Sequence, residues 1–123
     1  MRGPRRTFIV VWLCVSFFGG SAAQASRVVY KTGSAPEGEA IIRSVWPDAL
    51  ERGALNVARC ESGHELDGHA VNGRYKGLYQ MGPAEWRKHR TSAHADIFDR
   101  KDNAEAALSL YRSRGWKPWQ CKP

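Results

Sequence analysis

The sequence predicts one small, mostly helical α+β domain, and three observations carry that prediction. Apolar residues recur at helical spacing from Leu50 to Ala58 and again from Ala104 to Tyr111, and a glycine-rich interval between them suits loops around a short β-hairpin. The chain has 123 residues, room for a single domain of the usual size of about 100–150 residues.

Residues 1–25 carry a basic start (Arg2, Arg5, Arg6), an apolar run from Phe8 to Phe18 and a small-residue exit at Ala23-Gln24-Ala25, the three parts of a cleaved secretory signal peptide. A mature chain is expected from Ser26, secreted to the extracellular space or associated with a cell wall. Arg5-Arg6-Thr7-Phe8 also fits a twin-arginine signal, but a protein that forms a disulfide outside is more naturally exported unfolded, which favours the general secretory route. Bulky Trp12 and Leu13 before Cys14 argue against a lipid anchor there. The Phe8–Phe18 run is shorter than the roughly 20 residues of a membrane-spanning helix, and no later stretch approaches that length, so no stable membrane insertion is expected.

Without the three arginines the balance goes from 19 basic against 12 acidic residues to 16 against 12, and the formal charge falls from +7 to +4. That charge suits an anionic surface such as a bacterial cell wall. No dense Lys/Arg block marks nucleic acid as a partner, and with no oligomer signal a monomer is expected.

Residues 26–39 read as a flexible leader, broken by Gly33, Ser34, Pro36 and Gly38, with the compact domain over 40–123. From Pro47 to Glu61 a helix is expected, with Leu50, Ala54, Val57 and Ala58 on one face, Pro47 in its first turn and Gly63 as its stop. Gly63 to Gly82 should form loops and a short hairpin carrying Val71, Tyr75, Leu78 and Tyr79. Pro83 opens a short helix through Trp86 and His89. In the last helix Asp102 and Glu105 are spaced as a capping box, Ala104, Ala107, Leu108 and Tyr111 share a face, and Gly115 ends it.

Cys14 leaves with the signal, so Cys60 and Cys121 remain as an even pair in a compartment that permits disulfides. Their bond would close a loop of about 60 residues, worth roughly 4 kcal/mol by chain entropy. The alternative, a zinc site with His64 and His69, has Cys-x3-His and His-x4-His intervals that fit no common structural spacing. No metal and no organic cofactor is implied.

Glu61 is the most informative position. It extends the Leu50–Ala58 face by a further turn, which points a carboxylate toward the buried side at the end of a helix. Desolvation and the negative end of the helix dipole both raise its pKa, and a glutamic acid still protonated near neutral pH can protonate a glycosidic oxygen. The competing reading is an ion pair with Arg59, Arg74 or Arg87, which perturbs a carboxylate without any catalysis.

The segment Ala54-Leu55-Asn56-Val57-Ala58-Arg59-Cys60-Glu61-Ser62-Gly63, then Ala70-Val71-Asn72 and Gly77-Leu78-Tyr79-Gln80-Met81, resembles the catalytic core of the soluble lytic transglycosylases. The related resuscitation-promoting-factor and goose-type-lysozyme groups show the same helix ending in Glu-Ser, a Gly-Leu-x-Gln strand, and a later helix opening with Asn, here Asn103. The ending Gly115-Trp116-Lys117-Pro118-Trp119-Gln120-Cys121 is similar to the tail of small secreted actinobacterial members, in which a cysteine beside the catalytic Glu pairs with one near the C terminus.

The resemblance covers about residues 40–123 and implies a lysozyme-like fold with a Cys60–Cys121 disulfide. It implies Glu61 as catalytic acid/base and Gln80 as a residue lining the sugar cleft. Tyr79, Ser62 and Asn72 would also touch substrate, Asn72 standing where many members have a serine. Tyr111 lies one residue from the family's usual tyrosine, which leaves core packing as its alternative role. The implied partner is a peptidoglycan glycan strand, cut between N-acetylmuramic acid and N-acetylglucosamine. One carboxylate suffices for the transglycosylase route, which ends in a 1,6-anhydromuramic product; a hydrolytic muramidase would need a second acid, for which Glu65 and Asp67 are the nearby candidates. A wall-binding or signalling module with little turnover is the reading from another class.

Trp46 and Trp86 are expected in the core, and Trp116 and Trp119 over the disulfide. Arg87-Lys88-His89-Arg90 is expected to form a solvated face at a helix C terminus.

Overall fold

The computed structural model describes residues 34–123. The expected signal peptide, and the expected leader as far as residue 33, lie outside them. The described residues form four helices and one two-stranded antiparallel hairpin, with a Cys60–Cys121 disulfide, the mostly helical α+β class that the sequence predicts.

The first helix, α1 (Ala35–Val45), begins inside the expected leader and corrects the domain start from Ala40 to Ala35. Its two breakers fall where a helix tolerates them. Pro36 sits in the first turn, where its missing N–H has no intrahelical partner to lose, and Gly38 is buried, so the chain can approach closely there. Ile42 and Trp46 then anchor the helix in the core.

A single 3-10 turn (Asp48–Leu50) leads into α2 (Glu51–Ser62), so the helix expected from Pro47 starts with a tighter turn. Ala54, Val57 and Ala58 are buried as their spacing predicts. Gly63, at φ 91°, stops α2 with a conformation other residues rarely adopt.

Strand β1 (Val71–Asn72) pairs with β2 (Tyr75–Lys76), Val71 opposite Lys76 and Asn72 opposite Tyr75. The Gly77–Gln80 block, expected as a strand, is instead a turn. The Gln80 N–H donates to the Gly77 carbonyl at 3.0 Å, and Lys76 and Met81 exchange two backbone hydrogen bonds across it. The turn buries Leu78 and Tyr79 rather than exposing one face of each pair. Gly77 holds φ 82°, and a Cβ there would run into the Asn103 amide and the Ile97 carbonyl.

Helix α3 (Pro83–His89) has the expected bounds. Helix α4 (Arg100–Arg114) starts earlier than the capping box suggests: the Asp99 carboxylate accepts the Asp102 N–H at 2.9 Å. An Asp-x-x-Asp spacing at 99 and 102 provides the cap one turn before Asp102 and Glu105. Glu105 instead faces Lys101 at 3.8 Å, a helix-surface pair. The earlier start places Arg100 at the core edge, where it is 6 % exposed and donates to the Ser34 and Glu65 carbonyls at 2.9 and 3.1 Å.

Helix α4 packs against α1 and α3, and α1 against α2. Asn103, with no exposure, is the polar joint of this core. Its Oδ1 accepts the Tyr79 N–H at 2.8 Å, and its Nδ2 donates to the Ile97 and Lys76 carbonyls at 2.9 and 3.3 Å. The tail after Gly115 folds back over α2, with Cys60 and Cys121 Cα atoms 5.9 Å apart. No helix among the described residues is long and apolar enough to cross a membrane.

Candidate active site

The last turn of α2, the hairpin, the Gly77–Gln80 turn and the tail converge on one cleft of about 180 Å³, lined by Glu61, Asn72, Tyr75, Gln80, Pro118, Trp119 and Gln120. Each element has a reason to end there. Gly63 breaks α2 just beyond Glu61, the hairpin brings Asn72 and Tyr75 side by side, and the disulfide draws the tail to the residue next to Glu61.

Glu61 is half-buried, and its Oε1 accepts the Cys121 N–H at 3.3 Å. Burial pushes its carboxyl above the usual carboxylate range; the Cys121 N–H and the positive Lys122 pull against that shift without cancelling it. Lys122 is held by the Trp119 and Trp116 carbonyls, at 2.6 and 3.2 Å from its Nζ.

Among the described residues Glu61 makes no ion pair. The arginines that could neutralise it are engaged elsewhere or apart from it: Arg59 pairs with Glu39 at 2.5 Å, and Arg74 lies over the Tyr75 ring and donates to its hydroxyl at 3.1 Å. Among the described residues Glu61 is also the one carboxylate lining this cleft. Asp67 accepts the His69 N–H at 2.8 Å and Glu65 is exposed in the loop bonded to Arg100, both outside it.

Gln80 is held at φ 49° with its Nε2 donating to the Ala70 and Gly77 carbonyls at 3.0 and 2.9 Å. The amide therefore meets the cleft in a fixed orientation. Asn72 lines the opposite stretch from the exposed hairpin.

Three residues expected at substrate lie elsewhere. Tyr79 has no exposure, and its hydroxyl donates to the Ala54 carbonyl at 3.0 Å. Burial raises its pKa well above the ordinary tyrosine range, so it stays neutral and structural. Tyr111 packs between Trp46 and Trp116, at ring distances of 5.6 and 4.6 Å, which is its core-packing alternative. Ser62 returns its hydroxyl to the Ala58 carbonyl at 2.8 Å. In each case a local or core hydrogen bond or ring contact satisfies the side chain that the resemblance placed at substrate.

Tyr75, Pro118 and Gln120 are cleft residues that sequence reasoning leaves out. Tyr75 carried a signal, an aromatic ring in a hairpin too short to bury it, and it is 41 % exposed. Trp119, expected over the disulfide, is a cleft wall. Its indole N–H donates to the Tyr79 carbonyl at 2.9 Å, which fixes that wall to the core. Trp46 and Trp86 are core residues.

The arrangement can deliver a proton from a desolvated carboxylic acid to an atom held in a cleft between aromatic rings and the side-chain amides of Asn72, Gln80 and Gln120. A family model described as a transglycosylase-like domain matches residues 51–122, more than half of the chain. Neither the curated proteins nor the solved structures give a match.

Proposed function

The chain belongs to the transglycosylase-like domain family and carries a peptidoglycan-acting domain of the lytic transglycosylase type with a lysozyme-like fold; from that premise we propose that Glu61 is its catalytic acid/base. The observation that carries this is the position of Glu61, among the described residues the one carboxylate lining the cleft of about 180 Å³, raised in pKa and free of ion pairs.

In this reading Glu61 protonates the oxygen bridging N-acetylmuramic acid to N-acetylglucosamine, and the bond to the muramic C1 breaks with its electron pair leaving on that oxygen. The muramic N-acetyl group stabilises the cationic centre. The Glu61 carboxylate, now a base, takes the proton of the muramic 6-hydroxyl as that oxygen closes on C1 to give a 1,6-anhydro ring. Glu61 ends protonated, as it began, and no second protein carboxylate is needed. Gln80 and Asn72 hydrogen-bond the sugar substituents, and Trp119 and Tyr75 supply ring surface for the sugar faces.

The protein is secreted or wall-associated in this reading, since its substrate lies outside the membrane. N-terminal sequencing of exported protein is expected to find Ser26; an N terminus before residue 20 would overturn the assigned signal. The reaction is tested by mass spectrometry of fragments released from purified peptidoglycan, with Glu61→Gln alongside. Anhydromuramic ends, absent for the variant, are expected. Reducing muramic ends would make water the acceptor and the protein a muramidase, directing attention to Glu85, which lines the continuation of the cleft. A folded, oxidised sample that binds wall but releases nothing would make it a binding module.

A further inference from the structure

The cleft does not end at Gln80 and Trp119. A second cavity of about 220 Å³ shares Tyr75, Gln80, Pro118 and Trp119 with it and runs on to Glu85, Arg114 and Lys117. Arg114, the last residue of α4, and Lys117, in the tail, are both exposed, and neither makes a salt bridge or side-chain hydrogen bond among the described residues. Their position is unlike that of Arg43, Arg59 and Arg100, each of which has a carboxylate partner. Two cations with no carboxylate partner therefore stand on the wall of a cavity that is continuous with the site of cleavage.

The muramic acids of a peptidoglycan strand can carry a short peptide on the lactyl group, and that arm bears carboxylates and a free amine several bonds out from the sugar. Resting on the reading of the Glu61 cleft as the site of glycan cleavage, we propose that this second cavity docks the peptide arm. Arg114 and Lys117 receive its carboxylates, and Glu85, one acid against two cations, suits its amine. The enzyme then selects peptide-bearing strands over bare glycan.

The test compares kcat/KM of the secreted, oxidised protein on two substrates: purified wall glycan freed of other anionic polymers, and the same glycan after an amidase has removed the peptides. Amidase hydrolysis of the lactyl amide leaves a free lactyl carboxylate at the ring, so the stripped glycan still carries one anion close to each such sugar and the comparison reads the outlying charges of the arm. Wild type is expected to favour the peptide-bearing strand about fivefold, the scale of two solvent-exposed ion pairs. Arg114→Gln with Lys117→Gln should bring the ratio to within about twofold of parity, while Arg114→Lys with Lys117→Arg should keep it. Lys88→Gln, on α3 and lining neither cavity, should keep the wild-type ratio. Circular dichroism and the thermal midpoint establish that each variant is folded. A wild type that cuts both substrates equally, a neutralised variant that keeps the preference, or a Lys88→Gln variant that loses it overturns the docking site while leaving cleavage intact. No fragments from either substrate would overturn the Glu61 reading, and the docking site with it.

Discussion

At the scale of single residues, the proposed activity rests on Glu61. Removing its acid as Glu61→Gln should lower kcat/KM on peptidoglycan by about 10²–10⁴-fold, the usual worth of a positioned general acid, with the fold kept. Because burial raises its pKa, activity should fall as pH rises through that shifted value, so the alkaline limb of kcat/KM should lie above the ordinary glutamate value of about 4.3 and be missing from the residual rate of the variant. The linkage has the matching sign. A carboxyl with a raised folded-state pKa holds more protons folded than unfolded, so its contribution to stability is present at low pH and lost as pH rises through the folded value. Thermal melts should therefore find Glu61→Gln no less stable than wild type at pH 7, with the difference shrinking below pH 4; a variant clearly less stable at pH 7 would show that the charged form is stabilised by the fold. The site's central carboxylate was legible in the sequence because helical periodicity continues from Ala54 and Ala58 to Glu61 without a break. The places of Tyr79, Ser62 and Tyr111 were not, because a shared motif says nothing about which neighbour satisfies a side chain.

Elements show where local signals compete. Two acidic spacings near the start of α4 could each cap it, and only the structure assigns the cap to Asp99. Asp99→Ala should cost about 1 kcal/mol in denaturant unfolding, and Glu105→Ala, which loses an exposed helix pair, about 0.3–0.5 kcal/mol or less; equal costs would place the cap wrongly. Asn103 is a stronger joint. Asn103→Ala strips the Tyr79 N–H and two carbonyls of their buried partner and should cost about 2–4 kcal/mol, since buried groups left unpaired each lose about 1–3 kcal/mol. At Gly77–Gln80 the resemblance implies a strand, and the structure has a turn. What separates them is the positive φ at Gly77 and Gln80 and the need to leave Asn103 room, and neither is written in the pattern of apolar positions.

For the whole molecule, the disulfide joins stability to function. It closes a loop across a sequence separation of 61, so replacing both cysteines as Cys60→Ser with Cys121→Ser should lower stability by about 4 kcal/mol. The same change loosens the tail that supplies Pro118, Trp119, Gln120 and the Cys121 N–H to the site. Activity should therefore fall even at a temperature where circular dichroism finds the double variant folded; unchanged activity there would mean that the Trp119 bond to Tyr79 and the Lys122 bonds hold the tail unaided. The sequence by itself determined the helical class, the hairpin between the helices, the cysteine pair and the carboxylate at the end of α2, because periodicity, helix stops and cysteine counting are local or compositional signals. Only the tertiary structure decided that α1 belongs to the domain, that Tyr75 and the tail wall the cleft, and that Arg114 and Lys117 extend it. Those features depend on contacts between residues distant in the chain, as Arg100 does with Ser34 and Trp119 with Tyr79, and no local pattern records which partners will meet.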